Sequence, residues 1–156
     1  MQRDGLLVTR RADYLSDARP LLERALVARF GLRDGMDAAS DAIEYAITHW
    51  DRVSAMENPT GYLFKVAHSK ATRAIRRSKR LTMLASEPTT TDRPVDIDLQ
   101  RALLQLPWEQ RVAVMLVHSH GHTYASAAEV LDVPVTTITN HLHRGLAQLR
   151  TAMDAR

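Results

Sequence analysis

Polar side chains crowd a short segment near the C-terminus, at positions that could contact a nucleic acid. They are Thr136, Thr137, Thr139, Asn140, His141, His143 and Arg144. Hydroxyl, amide, imidazole and guanidinium groups can donate to and accept from base edges in a major groove, and they can also bind phosphate oxygens. The segment therefore predicts a DNA-contacting surface. The alternative interpretation is the solvated polar face of a helical hairpin.

A second group of candidate residues is a basic segment in the middle of the chain. From position 65 to position 80 the sequence has no Asp or Glu, although the whole chain carries a formal net charge of only +3. The segment contains Lys65, Lys70, Arg73, Arg76, Arg77, Lys79 and Arg80. Cations at this density attract phosphate, because each neutralised phosphate releases condensed counterions. We predict DNA contacts for the residues from Lys70 onward, with a solvated helix face as the alternative.

Histidines could instead indicate a metal protein or an enzyme. His118, His120 and His122 lie close together, and imidazoles can bind zinc or nickel. However, their spacing does not place all three on one face of a helix, and no carboxylate lies beside them. The chain has no cysteine, and no nucleophile stands at a recognisable spacing from a histidine and an acid. We expect no catalytic residue, no metal and no cofactor.

The polar C-terminal segment requires a helix to present it. Apolar residues recur at helical spacing on both sides of an interruption formed by Asp132, Val133 and Pro134. They are Ala127, Ala128 and Leu131 before it, and Ile138, Leu142, Leu146 and Leu149 after it. This pattern predicts a helix-turn-helix whose second helix carries the polar residues.

The remainder of the chain also has helical periodicity. Three helices are predicted in the N-terminal half, at 14–30, from Asp37 to about Trp50 with Gly35 in the preceding turn, and from Tyr62 to about Arg80. Residues 1–11 are assigned to no element. Two further helices, 99–106 and one beginning at Pro107, precede the helix-turn-helix. Trp50 and Trp108 are interpreted as core anchors.

The predicted fold class is all-α, with two small helical domains joined by a flexible linker. The boundaries are 12–80 for the N-terminal bundle, 81–98 for the linker and 99–153 for the helix-turn-helix domain. The linker is predicted from its crowded Ser, Thr and Pro residues, and fully extended it could reach on the order of 60 Å. No apolar run approaches the length of a membrane span, so we expect a cytoplasmic protein with no membrane partner.

Both halves resemble one family in the same order along the chain. The C-terminal half resembles region 4 of bacterial RNA polymerase sigma factors, especially the small extracytoplasmic-function group, and the N-terminal half resembles region 2. The matching positions in the C-terminal half are Leu106-Pro107, Arg111, the run from Thr123 to Pro134, Thr137-Ile138, Leu142, Arg144-Gly145 and Leu149-Arg150. Those in the N-terminal half are Asn58-Pro59, Gly61-Tyr62-Leu63, Val66-Ala67 and Arg76-Arg77, preceded by a helix that ends in Trp50.

The resemblance implies a transcription initiation protein that is not itself an enzyme. In this family region 2 binds the polymerase and melts the −10 promoter element, and region 4 reads the −35 element. The implied partners are core RNA polymerase, promoter DNA and an anti-sigma protein. The implied polymerase contacts are Asp37, Asp41, Glu44, Tyr45 and Thr48. The segment from His68 to Arg80 would meet the −10 DNA.

Several positions depart from the family pattern. Ser126-Ala127 replaces the usual Glu-Ile, and Asp132 replaces the usual glycine of the turn. Thr139 and His141 stand where Lys or Arg is usual, and on the N-terminal half Ser40 and Ile43 replace polar or acidic residues. The alternatives are therefore a free-standing helix-turn-helix regulator of the LuxR kind, or a sigma-like interaction protein that does not start transcription.

Overall fold

The computed structural model describes residues 2–82 and 97–155, and within these it describes side chains for 10–79 and 97–155. This part of the chain is helical and contains no strand, which confirms the all-α prediction. The helices are α1 (Gln2–Phe30), α2 (Leu32–Thr48), α3 (Trp50–Ser54), α4 (Pro59–Thr82), α5 (Ile97–Gln105), α6 (Trp108–Val114), α7 (Tyr124–Leu131) and α8 (Val135–Asp154). A π-helical turn, Met115–Ser119, follows α6. Most of the predicted linker lies outside the described residues.

Two predicted helix starts were wrong. Helix α1 begins at Gln2 and contains Pro20, although the sequence pattern placed its start near Tyr14 and assigned no element to residues 1–11. Helix α2 begins at Leu32, so Gly35 and Asp37 lie inside the helix and not in a turn and a cap. The turn is made one residue earlier, by Gly31, which has a φ of 91°. Only glycine adopts that backbone without strain.

Gly35 instead allows α1 and α2 to pack closely. A Cβ at this position would lie 2.4 Å from the Cα of Val27 and 2.5 Å from its backbone nitrogen. The two helices therefore cross with backbone against backbone at this point. The N-terminal core lies beside this contact. Leu22, Leu26 and Leu63 are fully buried in that core.

The C-terminal helices pack around a second group of fully buried side chains. These are Val112, Leu116, Val130, Ile138 and Leu142. Gly145 brings α8 close to α6, because a Cβ there would lie 2.9 Å from Cγ2 of Val114. The helix-turn-helix is thus fixed to α6 by its own apolar face, and the opposite face of α8 remains free to present polar groups.

The two predicted halves contact each other through α1 and α6 and through α4 and α7. Arg111 of α6 reaches the C-terminal end of α1, where it donates to the carbonyl oxygens of Ala28 at 2.8 Å and Arg29 at 3.1 Å. A third bond runs to the carbonyl oxygen of Leu106 at 3.3 Å. This guanidinium caps carbonyls that the end of a helix leaves without partners. The domain boundaries stay a prediction, but the halves share one buried core.

Aromatic rings complete the contact between the halves. The ring centroid of Trp108 lies 4.7 Å from that of His68 and 6.2 Å from that of Phe64, both on α4. Trp50 packs inside the N-terminal half, 5.7 Å from Tyr14. Trp108 is therefore an anchor between the halves. Within residues 2–82 and 97–155 no helix is both long and apolar enough to cross a membrane.

Candidate nucleic-acid interface

The turn of the helix-turn-helix is built by two local contacts. Thr123 caps α7, because its Oγ1 accepts from the backbone nitrogen of Ser126 at 3.0 Å. Asp132 ends α7 with a φ of 53°, and it is the only non-glycine residue with positive φ in the described part of the chain. Pro134 then stands just before α8 with an extended backbone. The predicted helix-turn-helix is present, and Ser126 fills the capping-box position where a longer acid is usual.

The polar residues of α8 form what we call the recognition face. Thr136, Asn140, His143 and Arg144 are exposed, and Thr137, Thr139 and His141 are half-buried. Thr139 donates to the carbonyl oxygen of Val135 at 3.1 Å, so its hydroxyl is partly engaged within the helix. Exposed amide and guanidinium groups one helical turn apart can reach base edges and phosphates of a duplex. Arg144 is the one permanent cation among the residues of this face.

The basic residues of α4 form what we call the basic face. Lys70, Arg73, Arg76, Arg77 and Lys79 are exposed. Arg80 belongs to the same helix, but its side chain lies outside the described residues. An open groove of about 640 Å³ runs beside this face, and its lining includes Tyr45, Lys65, Ser69, Lys70, Arg73 and Arg77. A cationic groove of this kind suits a phosphodiester backbone.

Two lysines of the groove are paired with acids. Lys70 Nζ lies 3.2 Å from a carboxylate oxygen of Asp41 on α2, and Lys65 Nζ lies 2.5 Å from one of Asp132. The Lys65 ammonium, followed by a hydrogen bond from Asn58, lowers the pKa of Asp132. Both pairs are solvent-exposed, so a phosphate could compete for either lysine.

The residues implied as polymerase contacts share α2 but differ in their surroundings. Asp37, Glu44 and Thr48 are exposed. Tyr45 is engaged within the protein, because its hydroxyl lies 3.0 Å from that of Tyr62 and its ring stacks on His49. The hydrogen bond with Tyr62, together with partial burial, raises the pKa of Tyr45. Among the five implied contacts, Asp37 and Glu44 are the exposed carboxylates.

The contacts between the halves include functional candidates that the sequence did not single out. Asn58 Nδ2 donates to the carbonyl oxygen of Glu129 at 2.8 Å and to Oδ1 of Asp132 at 3.1 Å. Lys65 was noted only as part of the basic segment. The signal that could have found them was the departure of Asp132 from the usual turn glycine, since an acid beside a basic partner helix invites an ion pair.

The histidines near α6 do not form a metal site in the described residues. His122 Nε2 accepts from Arg24 of α1 at 2.9 Å, and His118 and His120 are exposed. Burial and the neighbouring Arg24 lower the pKa of both His120 and His122. The structure thus places His122 in the contact between the halves.

This arrangement defines a DNA-binding type of fold, in which a helix-turn-helix packs on a basic helical bundle of the same chain. Comparison with known proteins shows what its two halves are similar to. Residues 96–149 match the family described as Sigma-70, region 4. The chain is 41% identical over 59 residues to the ECF RNA polymerase sigma factor SigE of Mycolicibacterium smegmatis, which covers 38% of this chain and 23% of that protein. It is 42% identical over 53 residues to the ECF RNA polymerase sigma factor SigM of Mycobacterium tuberculosis, which covers 34% of this chain and 27% of that protein.

The fold has a solved counterpart that covers most of the chain. The sigma factor RpoE of Bartonella quintana, solved in complex with the anti-sigma factor NepR, superposes with a TM-score of 0.64 over 92% of this chain and 96% of that one, at 19% identity. The predicted resemblance to extracytoplasmic-function sigma factors is thereby confirmed, by sequence in the region 4 half and by fold over the chain. The sequence match spans about a quarter of the length of the curated relatives.

Proposed function

We propose that this protein acts as a sigma factor, binding core RNA polymerase and directing it to −10 and −35 promoter DNA in the cytoplasm. The observation that carries the proposal is the region 4 match over residues 96–149, on a helix-turn-helix whose recognition face is exposed. Polymerase carries out the chemistry of initiation, and this chain positions polymerase on promoter DNA. Core polymerase and promoter DNA are the proposed partners, together with an anti-sigma protein.

The charges of the two faces support different roles for them in DNA binding. The basic face carries several exposed cations on one helix and can hold a DNA strand through its phosphates. The recognition face carries mostly neutral donors and acceptors, which suit base edges more than phosphates. Each contact is weak alone, and joining both in one chain raises the effective concentration of the second once the first has formed.

The proposed polymerase contacts are the polar residues of α2, namely Asp37, Asp41, Glu44, Tyr45 and Thr48. Asp37 and Glu44 are the sharpest to test, because both are exposed and neither is ion-paired in the described residues. Asp41 is a poorer choice, since its substitution would also release Lys70. Replacing Asp37 and Glu44 by Ala should weaken polymerase binding and leave binding to naked DNA unchanged. Asp13 and Asp17 on α1, replaced together by Ala, are the matched control for the change in charge.

The deciding experiment is co-elution of the purified protein with core RNA polymerase, followed by selection of initiating promoter sequences from a random library. A stable complex that initiates at discrete sites would establish the proposal. DNA binding without a polymerase complex would make the protein a free-standing helix-turn-helix regulator. A complex that never initiates would make it a sigma-like interaction protein.

The basic face has its own test. Replacing Arg73, Arg76 and Arg77 by Ala should weaken DNA binding to all sequences and reduce the slope of log K against log salt by roughly 2 to 3, because up to three phosphate contacts are lost. The control removes three exposed arginines elsewhere, at positions 10, 33 and 52, and produces the same change in net charge. Equal slopes for the two triple variants would remove the basic face from the interface.

A further inference from the structure

An apolar cavity lies between the C-terminal end of α1 and the helices α5 and α6. Its volume is about 380 Å³, which is within the range of pockets that bind small molecules. Most of its lining residues are apolar, among them Val27, Phe30, Leu103, Leu104 and Met115. Among the described residues that line it, none is proposed above to contact DNA or polymerase. The cavity is therefore separate from those surfaces.

Two arginines lie in the wall of this apolar cavity. Arg111 is 9% exposed, and Arg29 is half-buried. They are in contact, because Arg111 donates to the backbone carbonyl oxygen of Arg29 at 3.1 Å. No carboxylate of the described residues forms an ion pair with either guanidinium. Two neighbouring cations in an apolar wall are costly to bury without a counter-ion.

The pKa values of both arginines reflect this cost. Burial, followed by the positive charge of Arg29, lowers the pKa of Arg111. Burial also lowers the pKa of Arg29, and the charge of Glu109 opposes that shift only in part. An anion in the cavity would therefore be stabilised by two cations at once.

Both arginines have hydrogen-bond donors left for such an anion. Arg111 donates to three backbone carbonyl oxygens, and Arg29 donates through Nε to His68 at 3.1 Å. A guanidinium carries more N–H groups than these bonds use. The carbonyl end of α1 would by itself repel an anion, but Arg111 already binds two of its carbonyl oxygens. The wall thus combines a cationic end with an apolar surface.

We propose that this cavity binds a small amphipathic anion, a carboxylate whose head pairs with Arg29 and Arg111 and whose aliphatic chain lies against the apolar wall. An inorganic anion would gain the charge contact but would bury no apolar surface. A neutral alcohol of the same chain length would leave both arginines without a counter-ion. The site does not rest on the proposed function, because it needs neither polymerase nor DNA.

Isothermal titration calorimetry of the whole chain with octanoate and decanoate, below their micellar concentrations, tests the site. Each buried methylene should tighten binding about fourfold, so decanoate should bind roughly fifteenfold more tightly than octanoate. Acetate carries the charge without the chain, and 1-octanol carries the chain without the charge. Each should bind at least about tenfold more weakly than octanoate. Equal affinities of octanoate and decanoate, or of octanoate and 1-octanol, would overturn the proposal.

Leu104→Glu is the informative substitution, because Leu104 lines the cavity and is 69% exposed, so the change leaves the core intact. The new carboxylate should repel the ligand and weaken decanoate binding roughly tenfold. Ile47→Glu is the matched control, since Ile47 is 49% exposed on α2 and does not line the cavity. It should leave decanoate binding unchanged. Equal weakening by the two variants would mean binding to the protein surface at large and would overturn the site.

Arg29→Gln tests the cationic end of the cavity. It should weaken decanoate binding at least about tenfold, the effect of losing a charge-assisted hydrogen bond, and leave the binding of 1-octanol unchanged. Decanoate affinity that survives this substitution, or an equal loss for decanoate and 1-octanol, would overturn the pairing of the carboxylate with the arginines. An original chain that binds no decanoate at millimolar concentration would overturn the whole proposal, and co-elution with polymerase would still test the proposed function independently.

Discussion

The substitution Arg111→Met tests how strongly the halves depend on each other. Arg111 is buried and donates to three carbonyl oxygens, of which two belong to the end of α1. A hydrogen bond from a charged donor contributes about 1.5–3 kcal/mol, and the carbonyls left behind would be buried without partners. Methionine keeps the apolar stem, so the loss is mainly polar. We expect a decrease of about 3–5 kcal/mol in the free energy of unfolding, allowing for non-additivity.

Urea titration with two single-tryptophan proteins would measure this loss in each half. Trp108 reports on the junction and Trp50 on the N-terminal bundle. In the original chain both signals should change together, whereas in Arg111→Met the Trp108 signal should change at lower urea. Arg101→Met is the matched control, because Arg101 is exposed on α5 and should change stability by less than about 0.5 kcal/mol. A loss below about 1 kcal/mol in Arg111→Met, or coincident transitions in that variant, would refute the reasoning.

Three further predictions follow from single contacts. Gly35→Ala should cost about 2–4 kcal/mol of stability in a thermal or urea titration, since the new methyl would meet the backbone of Val27, which cannot rotate away. The stability of the protein should fall as pH decreases below about 6.5, because burial and Arg29 lower the pKa of His68, so the unfolded chain takes up a proton more readily. In that pH series His68→Gln should flatten part of the slope. Asn140→Ala should change which −35 sequences are selected, and a uniform loss of affinity would mean that the amide positions the helix without reading bases.

The Gly35 and His68 predictions each have a control, one in the same helix and one of the same residue type. For Gly35, the control is Ser40→Ala, an exposed change on α2 that should be near neutral. His143→Gln is the control for His68, because it lies exposed on α8 and away from the junction. The charged groups that face His68 are Arg29 and Glu109, and Glu109 raises the pKa of His68 against burial and Arg29, so Glu109→Gln should steepen the pH slope. If His68→Gln leaves the whole slope in place, the titration lies elsewhere.

The helix-turn-helix could be predicted from the sequence because its evidence is local. Ile138 and Leu142 are fully buried, as their helical spacing indicated, and the interruption at 132–134 is a turn. Such short-range periodicity fixes which face of a helix is apolar, and therefore which face is left exposed. The exposed or half-buried residues of the recognition face follow from it without further information.

Helix starts were less predictable because two glycines look alike in a sequence. Gly31 makes the turn between α1 and α2 with a φ of 91°, and Gly35 lies inside α2 against the backbone of α1. A turn glycine and a close-packing glycine differ only in what another helix does nearby. The sequence pattern assigned the turn to Gly35 instead of Gly31, so the predicted start of α2 was too late in the chain.

The junction between the halves could not be predicted from spacing, since its hydrogen-bonded pairs lie 67 to 98 positions apart in the chain. Arg111 is hydrogen-bonded to backbone carbonyls, which any residue could supply, and not to Glu109, the acid two positions before it. His68 and Trp108 likewise pair across the predicted linker. What the sequence did provide was the list of departures from the family pattern.

The structure gives a physical reason for two of those departures. One of the two residues fills the core, and the other forms an ion pair on the surface. Ile43 is 5% exposed, so it belongs to the core of the N-terminal half and cannot be a surface contact for any partner. Asp132 is exposed and gains its partners only from the other half. Replacing Ile43 by a polar residue to match the family would therefore bury an unpaired polar group and destabilise the bundle. Replacing Asp132 by glycine removes strain at the turn and, with it, the ion pair to Lys65.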